Sequence, residues 1–214
     1  MSFMRPRWPL RAARQSRLDS TVMLTAAVLG ASWATLQCFR LLYAKHRRID
    51  TAPFSHAEPT PARRFLIVGD STGVGIGSVD SRSTVAGRLA AAFPGTVIVN
   101  HARDRARSFD IPAQIATSTG RFDLILILVG GNDVTRFSSY QAVLVAAEHA
   151  LDVAGSRSDH VAVVPPADLG AAPIWVWPLD AVFSRRAERV RRAWQYAMRE
   201  RAHMHLVDLR MPRH

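Results

Sequence analysis

The chain predicts an α/β domain: a parallel sheet of five strands covered by helices on both faces. Three observations carry this. Short β-branched runs alternate with longer mixed segments from residue 63 onward, the pattern of strand-helix repeats that build parallel sheets. Two of the runs, Phe65 to Val68 and Leu124 to Val129, are apolar without alternation, as strands buried on both faces must be. Each of those two ends in a glycine-containing polar turn, Gly69-Asp70-Ser71 and Gly130-Gly131-Asn132-Asp133.

In order, the strands are placed at Phe65 to Gly69, Thr96 to Asn100, Leu124 to Val129, His160 to Val164 and His205 to Leu209. The helices are placed at Ser83 to Ala92, Ile111 to Thr117, Tyr140 to Ala154 and Ala181 to Arg201. Before this domain, Thr21 to Phe39 contains no charged residue. As a helix those residues rise about 28 Å, close to the thickness of a bilayer's hydrocarbon. The organisation read from the sequence is a basic tail over 1–20, a transmembrane anchor over 21–44, a proline-containing linker over 45–62, and the α/β domain over 63–214. Five arginines precede the apolar run and four basic residues follow it by Arg48. The positive-inside rule puts the N-terminus in the cytoplasm and the domain on the extracytoplasmic side of a single-pass protein. A cleaved signal peptide is the competing reading, and the run offers no clean small-x-small cleavage site.

The formal net charge of +11 belongs mostly to this N-terminal region, where nine basic residues face only Asp19 and Asp50 within the first 50 positions. The remainder is mildly basic, and the arginines of the last helix fall on one face. No nucleic-acid partner is expected. The single cysteine, Cys38, excludes an intramolecular disulfide and is read as a buried thiol. No two histidines and a carboxylate share a ligand spacing, so neither metal nor cofactor is expected. Gly73-Val74-Gly75-Ile76-Gly77 raises nucleotide binding, but its spacing is Gly-x-Gly-x-Gly and the second strand ends in Asn100, not an acid.

The two polar turns point to chemistry. Ligands of open α/β sheets bind at the carboxyl ends of the strands, where both turns sit. A hydroxyl held there is placed as a nucleophile, and the Asn132 amide can donate to charge developing on a substrate oxygen. The plain alternative for Ser71 is a helix N-cap. Whether Trp175 and Trp177, beside Pro173 and Pro178, line a pocket or fill core stays open.

Phe65-Leu66-Ile67-Val68-Gly69-Asp70-Ser71 resembles the first block of the SGNH (GDSL-type) hydrolases, and Val129-Gly130-Gly131-Asn132-Asp133 the third. The resemblance extends from about Arg63 to the end of the chain. It implies a flavodoxin-like three-layer fold, Ser71 as nucleophile, and an oxyanion hole made of the Ser71 N–H and the Asn132 side chain. Asp70, Gly130, Gly131 and Asp133 are expected to support the turns. The family's second-block glycine aligns with Arg105, whose backbone N–H is the remaining oxyanion donor. The family's Asp-x-x-His block does not appear. Asp208 matches the aspartate that ends the fifth strand, and His214 follows it by six residues, not three. The domain is therefore read as C-terminally incomplete, with the acid/base unknown and His214 and His101 as candidates. The implied activity is a membrane-tethered serine esterase acting on acyl or acetyl esters of small molecules, glycans or lipids. The alternative is a catalytically impaired domain that binds without turnover.

Overall fold

The computed structural model describes residues 10–46 and 48–209, and the chain divides after His46 into two compact units. The first contains α1 (Leu10–His46), a single helix of 37 residues. The segment holds no proline and is rich in Ala and Leu, so nothing interrupts the ladder. Its portion Val22–His46 has a mean hydropathy of 1.5 and is long and apolar enough to cross a membrane once. Val22, Leu24, Leu29 and Phe39 are all exposed on it. The Thr35 hydroxyl donates back to the Ala31 carbonyl at 2.8 Å, which satisfies it within the helix. Cys38 lies on this exposed surface and is not buried. The helix includes Leu10 to Ser20, so the second half of the region read as a basic tail is helical.

The second unit is the α/β domain. Its elements are β1 (Arg63–Gly69), α2 (Ser71–Val74), α3 (Val85–Ala92), β2 (Thr96–Asn100), α4 (Ile111–Ala116), β3 (Leu124–Leu128), α5 (Gly131–Thr135), α6 (Tyr140–Gly155), β4 (Val161–Val164), α7 (Leu179–Ala197) and β5 (Met204–Leu206). All five strands are parallel, in the order β2-β1-β3-β4-β5. The order reverses direction at β1, the kind of switch point where open sheets form their crevice.

The central strands are apolar because both faces are covered. Leu66 and Val68 point into a core shared with Ile111 and Ile115 of α4, Leu151 of α6 and Trp194 of α7. Ile67, Leu126 and Leu128 join Ile98 and Ala86 on the other face. Each such aliphatic side chain contributes about 1.5–3 kcal/mol by leaving water. Burial alternates along β4, where Val161 and Val163 are buried while Ala162 and Val164 are half-buried.

The proline-containing linker is docked on the domain from Ile49 to Ala62. Ile49 accepts from the Gly77 N–H, His56 exchanges two backbone hydrogen bonds of 2.9 Å with Ile98, and Ala62 donates to Gly95. Phe54 packs against the Ile67 and Ile98 core. The cause is an edge: β2 leaves unpaired backbone groups outward, and an extended segment with one apolar anchor satisfies them.

Candidate active site

Three turns at the carboxyl end of the sheet form the site, and hydrogen bonds lace them together. The first follows β1. Gly69 has φ +145°, and a Cβ there would lie 1.9 Å from the Leu128 carbonyl oxygen, so only glycine lets β1 close on β3 at this point. The Gln114 side chain clamps it from below: Oε1 accepts from the Gly69 N–H at 2.7 Å and Nε2 donates to its carbonyl at 3.0 Å. Asp70 N–H donates to Leu128 O at 2.8 Å. The Asp70 carboxylate caps α2 by accepting from the Thr72 N–H at 2.9 Å. It is only 4% exposed. Burial holds its pKa above the usual carboxylate range, with nearby Asp133 acting in the same direction and the N–H groups of Thr72 and Gly131 acting against it.

Ser71 is the first residue of α2 and is half-buried. Its hydroxyl makes no hydrogen bond among the described residues. The glycines after it serve the fold. A Cβ on Gly73 would meet that of Ala102 at 2.7 Å, and Gly75, at φ +90°, ends α2. Asn100, at the end of β2, donates to the Gly73 carbonyl and accepts from the Ala102 N–H. The features that suggested a nucleotide site are thereby occupied in joining α2 to the next turn.

That second turn, residues 101–107, is fixed to the first by the Arg103 N–H, which donates to Gly69 O at 3.0 Å. Arg105 adopts φ +62°, the left-handed region that favours glycine. The position aligned with the family's glycine keeps a glycine-like backbone under a different side chain. His101 faces elsewhere: its Nε2 lies 2.7 Å from Ser118 Oγ. Partial burial, with the Arg103 charge beside it, holds the imidazole pKa below its ordinary value. His214, the other acid/base candidate, lies outside the described residues.

The third turn follows β3. Gly130, at φ +120°, leaves room for the Pro166 ring and immediately precedes α5. Asn132 is half-buried and donates through Nδ2 to Ala106 O at 3.1 Å, binding this turn to the second. The amide carries a further N–H for another acceptor. Asp133 points inward, 3% exposed. It accepts from the Ser108 N–H and hydroxyl at 2.9 and 2.8 Å, and from the Ser138 hydroxyl at 2.8 Å. Trp194 Nε1 donates in turn to Ser108 Oγ. Asp133→Ala leaves these buried donors unsatisfied and is expected to destabilise the domain by about 3 kcal/mol. The denaturant midpoint measures this, and a variant as stable as the parent would contradict the role.

Trp175 packs on Phe183 with ring centroids 4.2 Å apart, next to the core, whereas Trp177 is 75% exposed. Gln114 and Ser108 hold the turns but were not singled out from the sequence. The one available sign for Gln114 was an amide between Ile111 and Ile115 on an apolar helix face.

The sheet order, with a serine turn after β1 and an asparagine turn after β3, defines an α/β domain with its polar turns gathered at the carboxyl end of the sheet. Residues 67–213 match the GDSL-like lipase/acylhydrolase family, and the chain belongs to it. Solved structures share the fold. An extracellular lipase from Streptomyces rimosus is 20% identical, with a TM-score of 0.51 over 70% of this chain and 81% of its own. A lipolytic G-D-S-L family member from Veillonella parvula is 17% identical, with a TM-score of 0.52 over 69% and 78%. A catalytic mutant of an acetylxylan esterase from Geobacillus stearothermophilus is 16% identical, with a TM-score of 0.51 over 71% and 78%. Comparison with curated proteins returns no match.

Proposed function

We propose that this protein is a membrane-tethered serine esterase that hydrolyses acyl or acetyl esters through an acyl-serine intermediate. One observation carries the reading: the Ser71 hydroxyl, unengaged among the described residues, stands on a turn hydrogen-bonded to the turns that bear Arg105 and Asn132. Ser71 Oγ attacks the ester carbonyl carbon while its proton passes to a general base. The N–H groups of Ser71 and Arg105 and the amide of Asn132 hold the oxyanion of the tetrahedral intermediate. The carbon–oxygen bond to the alcohol then breaks, the alcohol takes the proton, and water releases the acid from Ser71. Preorganised donors of this kind act before charge develops and need no reorganisation. Of the two candidate bases, His101 is bonded to Ser118 and His214 lies outside the described residues. The Val22–His46 helix is read as the membrane anchor, with the domain on the extracytoplasmic side, and the ester is carried by a small molecule, glycan or lipid. Cofactors and nucleic acid have no part in this reaction.

The competing reading is an ester-binding domain without turnover. It is favoured by one observation: among the described residues, no histidine ring is bonded to Ser71. A fluorophosphonate reagent applied to the full chain in detergent micelles decides between the two. The expected result is a single adduct, mapped to Ser71 by mass spectrometry. A folded chain that takes no adduct, or takes it elsewhere, refutes the acyl-serine mechanism.

A further inference from the structure

Arg105 combines a strained backbone with a side chain that the fold does not use. Glycine would hold φ +62° without steric conflict, so the arginine is kept at a conformational cost. Outliers of this kind cluster where a side chain acts on a ligand. The side chain is 72% exposed, and its one charged contact among the described residues is Nε at 3.6 Å from Asp104. That carboxylate is already held at 2.6 Å by Arg48, which binds Asp50 at the same distance. The two terminal nitrogens of Arg105 make no hydrogen bond among the described residues. The backbone at Arg105 is fixed by the site itself, because the next residue's carbonyl receives the Asn132 amide and Arg103 N–H is bonded to Gly69. Arg103 and Arg107 flank it, the latter stacked over the Phe109 ring at 4.3 Å.

We propose that Arg105 is a specificity-determining residue that selects esters bearing a carboxylate or phosphate group close to the scissile bond. The inference rests on the esterase reading above. The planar fork of a guanidinium pairs with such anions through two parallel N–H bonds, a geometry that neutral esters cannot match. The bond cleaved and the role of Ser71 are unchanged; the anion adds binding through the Arg105 side chain.

The test compares mono-p-nitrophenyl glutarate with the neutral p-nitrophenyl valerate, using the full chain in a non-ionic detergent. The anionic ester is expected to show a kcat/KM about tenfold higher at low ionic strength, a ratio that shrinks with added salt. Arg105→Gly is expected to bring the ratio near one, whatever it does to the absolute rates, and Arg105→Lys to give an intermediate ratio. A ratio unchanged in Arg105→Gly overturns the proposal. If neither ester is hydrolysed, or hydrolysis persists in Ser71→Ala, the esterase reading fails by itself. Calorimetric binding of glutaric acid monoanilide to the Ser71→Ala chain then decides the anion site. Affinity lost on adding Arg105→Gly supports it, and equal affinity, or no binding, refutes it.

Discussion

Ser71→Ala is expected to lower ester hydrolysis by the full chain about 10³-fold or more, with little change in stability. Removing the nucleophile forces direct attack by water and forfeits both the covalent intermediate and its general-base assistance, the latter alone worth about 10²- to 10⁴-fold. The residual rate reflects the oxyanion donors, which the substitution leaves in place. Stability is preserved for a structural reason. The helix cap belongs to Asp70, not Ser71, and the Ser71 hydroxyl is unbonded among the described residues. Alanine is also a good helix former at the first position of α2. Hydrolysis of p-nitrophenyl acetate and a denaturation curve, measured on the same preparation, check both halves. Activity that survives the substitution in a folded protein would remove Ser71 from the reaction.

Gly69→Ala, two residues earlier, is expected to have the opposite profile: a collapse of stability from which loss of activity follows. The added Cβ would fall 1.9 Å from the Leu128 carbonyl oxygen and 2.7 Å from its carbon, atoms of rigid central-strand backbone. Gly69 and Leu128 are register partners, so relief requires β1 and β3 to part where both are buried. That motion would also disturb the Asp70–Leu128 bond and the Gln114 clamp. A loss of about 4 kcal/mol or more is expected, a large share of the roughly 5–15 kcal/mol that holds a typical domain. Gly77→Ala separates clash from backbone strain. Gly77 also has positive φ, +88°, but a Cβ there meets nothing within 4 Å. Its cost is expected to be near 1 kcal/mol. Equal unfolding midpoints for the two variants would show that the close approach of β1 and β3 is not what demands glycine at 69.

The strands were legible because burial on both faces leaves a plain apolar run, as in Leu66 to Val68 and Ile125 to Leu128. Their ends were less so. The fifth strand was placed at 205–209, but only Met204 to Leu206 pair with β4. A single neighbour gives its outer residues little to bond with. The helices α2 and α5, which carry Ser71 and Asn132, were not placed from the sequence. Four or five residues are too few to show a period of 3.6, and their local signs were glycines and polar residues that read equally as turns. The second turn was legible only through the family pattern. Nothing in His101 to Arg107 announces φ +62° at an arginine; the alignment with a glycine did. Gln114, Ser108 and the docking of Phe54 and His56 were hidden because each depends on a partner distant in the chain.

The backbone exchange between His56 and Ile98 also governs how copies of this chain can meet. An uncovered β2 would present a row of donors and acceptors to any extended segment, including one from a second copy of the chain. With that row partly occupied by the chain's own residues, strand addition along β2 must first displace an intramolecular partner. The segment that leads into the domain thus also serves as a guard against sheet-to-sheet association along that side.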